Sequence, residues 1–526
     1  MHDPVNYKAL GLPLAGLLLL VALVGPRYCG GKVEPTAPAA PLSPPAALLG
    51  ELRIETPNAS WQRLQRGVGG AAGILPTTLP GVLVGLVDLD PRLTNELDGT
   101  SPIYGAIAGD PADPSILLAI RLVELRRART AFGVDGGLLP GRRGSTLVTS
   151  ITDDGFLLVG RRAADLAMAP WVTRQRPPGK DAIALDVPAA ALGALVPVLT
   201  DAWKNARQFL LAQDQRMRAE RGRAPDFGDP AAIVGLLDGW VGRRTSVLAD
   251  LEGLHVGLET LDDAVVAVAT LPPGKGGPAK AWLDPMRVGD AAPVLALPAH
   301  ALVAVSTRDG DAARAEQATD LESAVKTVLG PRLKDPAPLH EELALVTKAR
   351  GEALAVALDD GAMLLRAPGG DTTAVNPALR GGFALLQSEP FREALRIRRI
   401  QGEGAELVAG AGGRAKLTRG AVGADAGAPT ETPLTWTVDA GGFDLAAGDW
   451  TAAPGKLADE PALKRFVGAL GGDASSILVM QPGRLLGSKS TASLAAALGK
   501  KDGAGFVRIE LADALVRDVL RAQMGF

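Results

Sequence analysis

A chain of 526 residues is too long for one compact core and reads as about two to four domains. Its 47% hydrophobic and 21% charged residues give most of it enough apolar material to fold. A formal net charge of -3 argues against a nucleic-acid binder, and no basic stripe appears; the nearest approach, Arg216, Arg218, Arg221 and Arg223, is interleaved with Asp214, Glu220 and Asp226 and reads as a solvated helix end.

The first element is an apolar run. Ala9 to Pro26 carries no charge over 18 residues, which as a helix is about 27 Å, close to the hydrocarbon thickness of a bilayer. Arg27 and Tyr28 precede Cys29 where a lipoprotein signal needs small residues, and the first Ala-x-Ala pattern, Ala37-Pro38-Ala39, lies well beyond the run. The expectation is therefore an uncleaved membrane anchor within residues 1–32, inserted through residues 9–26. Lys8 on one flank and Arg27 and Lys32 on the other leave its orientation open. Residues 33–49 follow as a spacer, with Pro35, Pro38, Pro41, Pro44 and Pro45 favouring extended polyproline geometry. Anchor, stalk and large body is the order of a bacterial inner-membrane protein, single-pass, with its body in the periplasm. The Ala, Gly, Pro and Arg bias agrees, and with one cysteine no intrachain disulfide is possible.

The body shows three internal echoes. LPTTLPGVLVGLVDLDP (75–91) and LPAHALVAVSTRDG (297–310) each place Leu-Pro before an apolar run that reads as a strand. STLVTSIT and FLLVGR flank Asp153-Asp154-Gly155, and ALAVAL and AMLLR flank Asp359-Asp360-Gly361, two hairpins in which Gly supplies the positive φ of a tight turn. IALDVPAAALGALVPVL and VRIELADALVRDVL each run a short strand into an amphipathic helix. The fold class expected is α+β: two related units of antiparallel strands packed with amphipathic helices, covering 50–290 and 291–526.

Between the echoes, Leu192, Leu195, Val196, Leu199, Trp203, Ala206 and Leu210 predict an apolar stripe on a long helix ending near Gly222. Asp229-Pro230 opens a second helix through about Leu251, and GLHVGLE with AVVAVAT forms a hairpin. PPGKGGP (272–278) closes the unit. Residues 402–430 read as a loop or a weak hairpin. LTWTV, SILVM and FVRIE read as strands, STASLAAALG as a helix, and ADALVRDVLRAQMGF as a closing helix.

Chemical motifs fail on spacing. In GRLLGSKST, Ser488 separates Gly487 from Lys489, so the phosphate-loop geometry is not met. Ser323 and Lys326 satisfy the S-x-x-K spacing of penicillin-binding enzymes, but no S-x-N triplet accompanies them and Lys326 precedes Thr-Val where Thr-Gly is needed. His2, His255, His300 and His340 pair with no His or Cys at metal-ligand spacing; His340-Glu341-Glu342 reads as the acidic start of a helix, and His255 as a structural strand residue. Asp153-Asp154, Asp262-Asp263 and Asp359-Asp360 read as turn residues. No metal, no cofactor and no nucleic acid is expected.

The doubled Leu-Pro openings, the strand-to-helix IALDVPAAAL, and LADLEGLHVGLE followed by a strand resemble duplicated bacterial envelope proteins that carry no assigned activity. The resemblance implies location and architecture and carries over no catalytic residue. The function expected is a non-enzymatic envelope binding or scaffold protein whose partner is an envelope protein or an apolar ligand. Two alternatives stand beside it. One is a hydrolase of peptides or cell-wall material using Ser323 and Lys326; the other is a lipid-binding or transfer protein with an apolar cavity lined from both units.

Overall fold

The computed structural model describes residues 43–69, 76–86, 91–132, 137–140, 146–221, 230–330, 333–392, 400–408, 412–419, 430–448, 450, 455–485 and 491–517. The anchor expected at 9–26, most of the spacer and the centre of GRLLGSKST lie outside the described residues. Among the described residues no helix is long and apolar enough to cross a membrane. The protein is mixed α+β with antiparallel sheet and many helices, and it packs as two compact units that divide between Leu185 and Asp186.

The first unit holds β1 (Leu48–Ile54), β2 (Ile103–Asp110), β3 (Asp113–Arg121), β4 (Gly137–Pro140), β5 (Thr146–Ile151) and β6 (Phe156–Gly160), and at its end the chain enters β7 (Ile183–Pro188). Pairing is antiparallel in the order β1-β2-β3-β6-β5-β4. On its other side β1 pairs with β7, and beside that pairing Glu55 N–H donates to Ala182 C=O at 2.9 Å. Both faces of this sheet are covered. Ile103, Ile120, Leu157 and Val159 pack with Leu97 and Phe132, while Ala106, Leu117, Leu158 and Phe156 pack with Met168 and Val172. A strand buried on both faces needs no alternation, which is why FLLVG is apolar at successive positions.

The first echo is corrected here. Residues 79–86 form a helix, Leu79–Leu86, where LPGVLVGL was expected to be a strand. Thr78 Oγ1 accepts from Gly81 N–H at 3.2 Å, and Pro80 sits in the first turn, where its missing N–H costs nothing. Capping outweighs the modest strand preference of the valines. Both Asp-Gly hairpins form as expected, with Gly155 and Gly361 at φ 86° and 73°.

The second unit opens with two long helices, Ala189–Arg221 and Pro230–Ala249, matching the expected extents. Of the predicted stripe, Leu192 is buried, but Leu199 and Leu210 are exposed together with Val198 and Phe209. The pair is held by Trp203 Nε1 donating to Asp238 at 2.6 Å, and the far part of the stripe faces solvent.

The strands of this unit are β8 (Gly253–Thr260), β9 (Ala264–Leu271), β10 (Val303–Arg308), β11 (Ala353–Asp359), β12 (Ala362–Pro368), β13 (Ile400–Val408), β14 (Gly412–Arg419), β15 (Thr430–Asp439), β16 (Gly442–Ala447), β17 (Ala474–Met480), β18 (Leu494–Lys501) and β19 (Ala504–Ala512). They pair antiparallel in the order β8-β9-β19-β18-β17-β10-β11-β12-β16-β15-β14-β13. The helix Pro461–Leu470 lays Leu463, Phe466 and Leu470 on the middle of this sheet, against Ala304, Ala357, Ile477, Val479, Ala495 and Ala497. Alanines on the strands let the helix approach closely. β18 is a second correction: LAAALGKK, read as helical, is a strand in which Ala495, Ala497 and Gly499 are buried alternately. Of the Gly/Ala-rich stretch 402–430, the described part is the β13–β14 hairpin.

Candidate functional site

The antiparallel pairing brings the ends of six strands to one edge of the second unit's sheet. There β11, β17 and β19 finish at Asp359, Met480 and Ala512, and β9, β10 and β18 begin at Ala264, Val303 and Leu494. Between these ends and the start of the helix Pro461–Leu470 lies a cleft of about 510 Å³. The sheet contributes Val479, Ala495 and Glu510 to its wall, the helix Ala462, Leu463 and Arg465, and the strand ends Asp263, His300, Asp359 and Gln481. Arg484, from the turn Pro482–Leu485, completes the polar set, with Thr491 and Ser493 at the rim.

One cross-strand row explains why the cleft is chemically unusual. Register places Leu364, Ala357, Ala304, Val479, Ala495, Glu510 and Val266 side by side across β12, β11, β10, β17, β18, β19 and β9. All seven are buried, and six are apolar; Glu510, 4% exposed, is the exception. A carboxylate in that position loses hydration that only a specific partner restores. Arg465 supplies it: both Nε (3.2 Å) and Nη2 donate to Glu510 Oε1, while Nη1 donates to Asp263 at 2.8 Å. The hydrogen bond to Glu510 holds the Arg465 guanidinium above its ordinary pKa. Glu510 Oε2 is buried without a hydrogen-bond partner, and Arg508 Nη2 stands 3.8 Å from it.

A second ion pair stands at the β10–β11 side. Arg484 donates to Asp359 Oδ1 at 2.7 Å, to the His300 carbonyl at 2.5 Å and to Gln481 at 3.1 Å. His300 stacks obliquely on Trp450 with ring centres 5.3 Å apart, its Nε2 lies 3.6 Å from Asp359 Oδ2, and its buried Nδ1 has no partner. The sequence reads Asp263 and Asp359 as turn aspartates; Asp263 does stand in the bend before β9, Asp359 is the last residue of β11, and their carboxylates anchor the two arginines of the cleft. His300, read only as lacking metal spacing, lies in the same place.

Ser323 and Lys326 sit three residues apart on the helix Asp311–Leu329, both exposed. Lys326 Nζ is bound by Glu322, which also accepts from His340 at 2.9 Å and lies below its usual pKa because of these bonds. Neither Ser323 nor Lys326 lines the cleft or the second, more open depression of about 770 Å³ around Asp290, Arg308, Arg366 and Asp444. In that depression burial raises the Asp444 pKa although Arg366 Nε stands 3.2 Å away. His255 pairs with Asp186 at 2.6 Å on the β8 strand. Among the described residues no group of three or more His, Cys, Asp or Glu is arranged to hold a metal ion.

Sequence reading missed Glu510, Arg465 and Arg484. The signal for the first was present: in GFVRIELA, Arg508 and Glu510 are two residues apart, so a strand puts both charges on one face of an otherwise apolar segment. Arg465 and Arg484 carry no comparable signal, because their partners are 45 and 125 residues away in the chain. No protein-family model, no curated protein and no solved structure matches this chain.

Proposed function

We propose that the protein is a non-enzymatic binding module of the bacterial envelope, held at the inner membrane by residues 9–26 with its body in the periplasm, and that the cleft around Glu510 is where it receives its ligand or partner. The observation that carries the binding reading is the placement of Glu510. A half-satisfied buried carboxylate beside an open cleft is costly to keep in a row that apolar residues would fill, and such costs concentrate at working sites. The apolar run 9–26 and the Pro-rich spacer after it support the location.

The body is, on the same reading, a duplicated α+β unit, with copies over 50–290 and 291–526. Three features support this. β1-β2-β3-β6-β5-β4 and β10-β11-β12-β16-β15-β14 pair in the same order and sense. After each meander a 3-10 turn is closed by an aspartate that accepts from backbone three residues earlier: Asp165 from Arg162 N–H at 2.9 Å, Asp459 from Lys456 N–H at 2.8 Å. Each copy then ends in a hairpin, β8–β9 and β18–β19. The counterparts of β10, β11, β12 and β19 on this reading are β1, β2, β3 and β9, so none of the three sequence echoes joins equivalent elements, and each is a coincidence of composition. Between the last three strands the first copy inserts two long helices where the second has a short turn.

Three measurements test the proposal. Fusions to a periplasm-active and a cytoplasm-active reporter after residue 50 and after Phe526 should give periplasmic activity in the membrane fraction; cytoplasmic activity would overturn the location. Thermal shifts of the detergent-solubilised full chain with cationic, anionic and neutral small molecules should show stabilisation that disappears in Ala462→Phe, which fills the cleft. Turnover of an envelope hydrolase substrate, abolished by one point mutation, would overturn the non-enzymatic reading.

A further inference from the structure

Resting on the reading of the cleft as a binding site, we infer that its ligand presents an alkylammonium group, as at the end of a lysine side chain or a free alkyl amine, with the ammonium on Glu510 Oε2 and the alkyl stem along the apolar wall. The balance of charge comes first. Asp263, Asp359, Glu460 and Glu510 line the cleft against Arg465 and Arg484, leaving an excess of acid that Arg508, behind Glu510, only partly offsets. The two arginines also already hold carboxylates. Arg484 is spent on Asp359, Gln481 and the His300 carbonyl, and Arg465 on Glu510 and Asp263. An anionic ligand would stand beside carboxylates already in place on both arginines; a cation would meet a carboxylate oxygen that lacks a donor.

That acceptor is Glu510 Oε2. The residue is 4% exposed, Oε1 takes both bonds from Arg465, and Oε2 has none; the 3.8 Å to Arg508 Nη2 is too long for one. Leaving a buried carboxylate oxygen without a donor is expensive, and a donor arriving from the cleft removes the penalty. Because only one oxygen lacks a donor, a compact ammonium fits better than a guanidinium, whose planar fork is matched by two carboxylate oxygens. The rest of the wall suits a methylene stem: Val479, Leu463, Ala462 and Ala495 present no polar side-chain atom. The volume of about 510 Å³ admits such a group with room for what it is attached to.

The test is calorimetric titration of the detergent-solubilised full chain with 1,5-diaminopentane, Nα-acetyl-lysine methylamide, 1-pentanol and inorganic phosphate. Saturable binding of either amine, weakened roughly ten-fold or more by Glu510→Gln and lost in Ala462→Phe, is expected, with no binding of pentanol or phosphate. Preference for the lysine amide would mark a peptide or protein lysine as the source, and preference for the diamine a free amine. Amine binding unchanged in folded Glu510→Gln overturns the inference. Should that variant fail to fold, amine binding that persists in Ala462→Phe does the same. Phosphate or pentanol binding that Ala462→Phe abolishes, without amine binding, overturns the ammonium and leaves the cleft reading standing; binding of none of the four overturns both.

Discussion

Glu342 shows how far a residue's surroundings can depart from its place in the sequence. His340-Glu341-Glu342 reads as an acidic helix start, but the helix Ala337–Arg350 begins earlier, and Glu342 points into the seam with the helix Thr372–Gln387. It is 7% exposed, accepts from the Gly382 backbone, leaves Oε1 without a partner, and has its pKa pushed up from 4.5 to about 7, mainly by burial. Gly381 faces this carboxylate: a Cβ there would overlap Glu342 Oε2, which would have to shift. The linkage sign follows from the raised value. Below pH 4.5 the carboxyl is neutral in both folded and unfolded chains; between 4.5 and about 7 the unfolded chain has released the proton and the folded one still holds it. Stability from this group therefore falls as pH rises through that window. Allowing for solvent screening, the loss is on the order of 2 kcal/mol. Urea unfolding at pH 5 and pH 8 should show it in the native chain and not in Glu342→Gln, and Gly381→Ala should be destabilised at both. Equal pH dependence in Glu342→Gln would show that another group is responsible. Nothing in the sequence separates Glu342 from Glu341, because the difference is made by packing against another helix.

At the scale of elements, what was legible followed local chemistry. The two Asp-Gly hairpins, the strand running into the long helix at Ala189 and the Pro230 helix start all appear where turn residues, proline and periodicity put them. What was not legible followed from neighbours. LAAALGKK is rich in good helix formers, yet it lies between β17 and β19 and becomes a strand because both of its edges are paired. Its burial then alternates, with Ala495, Ala497 and Gly499 turned toward the helix Pro461–Leu470 and its surroundings. The signal that outweighed propensity was the turn after it: Asp502 and Gly503, both at positive φ (51° and 83°), join β18 to β19 in a two-residue hairpin. The inward alanines set the distance between helix and sheet. Ala497→Leu should overpack that contact and cost about 1–3 kcal/mol in chemical unfolding, whereas Ala496→Thr, on the other face of β18, should be neutral or slightly stabilising. A neutral Ala497→Leu would mean the helix is not held at this distance by the strand.

At the scale of the molecule, the packing and the proposed duplication divide the chain at different points. The proposed duplication places a boundary near residue 290, but the compact second unit begins at Asp186. The reason lies in one edge. β19 pairs from Gly505 to Ala512 with β9 from Leu271 to Ala264, so the last hairpin of the first proposed copy completes the sheet of the second. Asp263, at the tip of that hairpin, also supplies a ligand to Arg465. A fragment 291–526 would keep every strand of its own copy and lose this partner, leaving β19 as a long unpaired edge open to association with other chains. It would also leave Arg465 with Glu510 alone. A fragment 186–526 retains both. Expressed separately, 186–526 should be monomeric by size-exclusion chromatography with a cooperative thermal transition, while 291–526 should aggregate or melt several degrees lower, as loss of a paired strand edge requires. If 291–526 were equally stable and monomeric, the β9–β19 pairing would be dispensable, and the cleft would have to keep its geometry without Asp263.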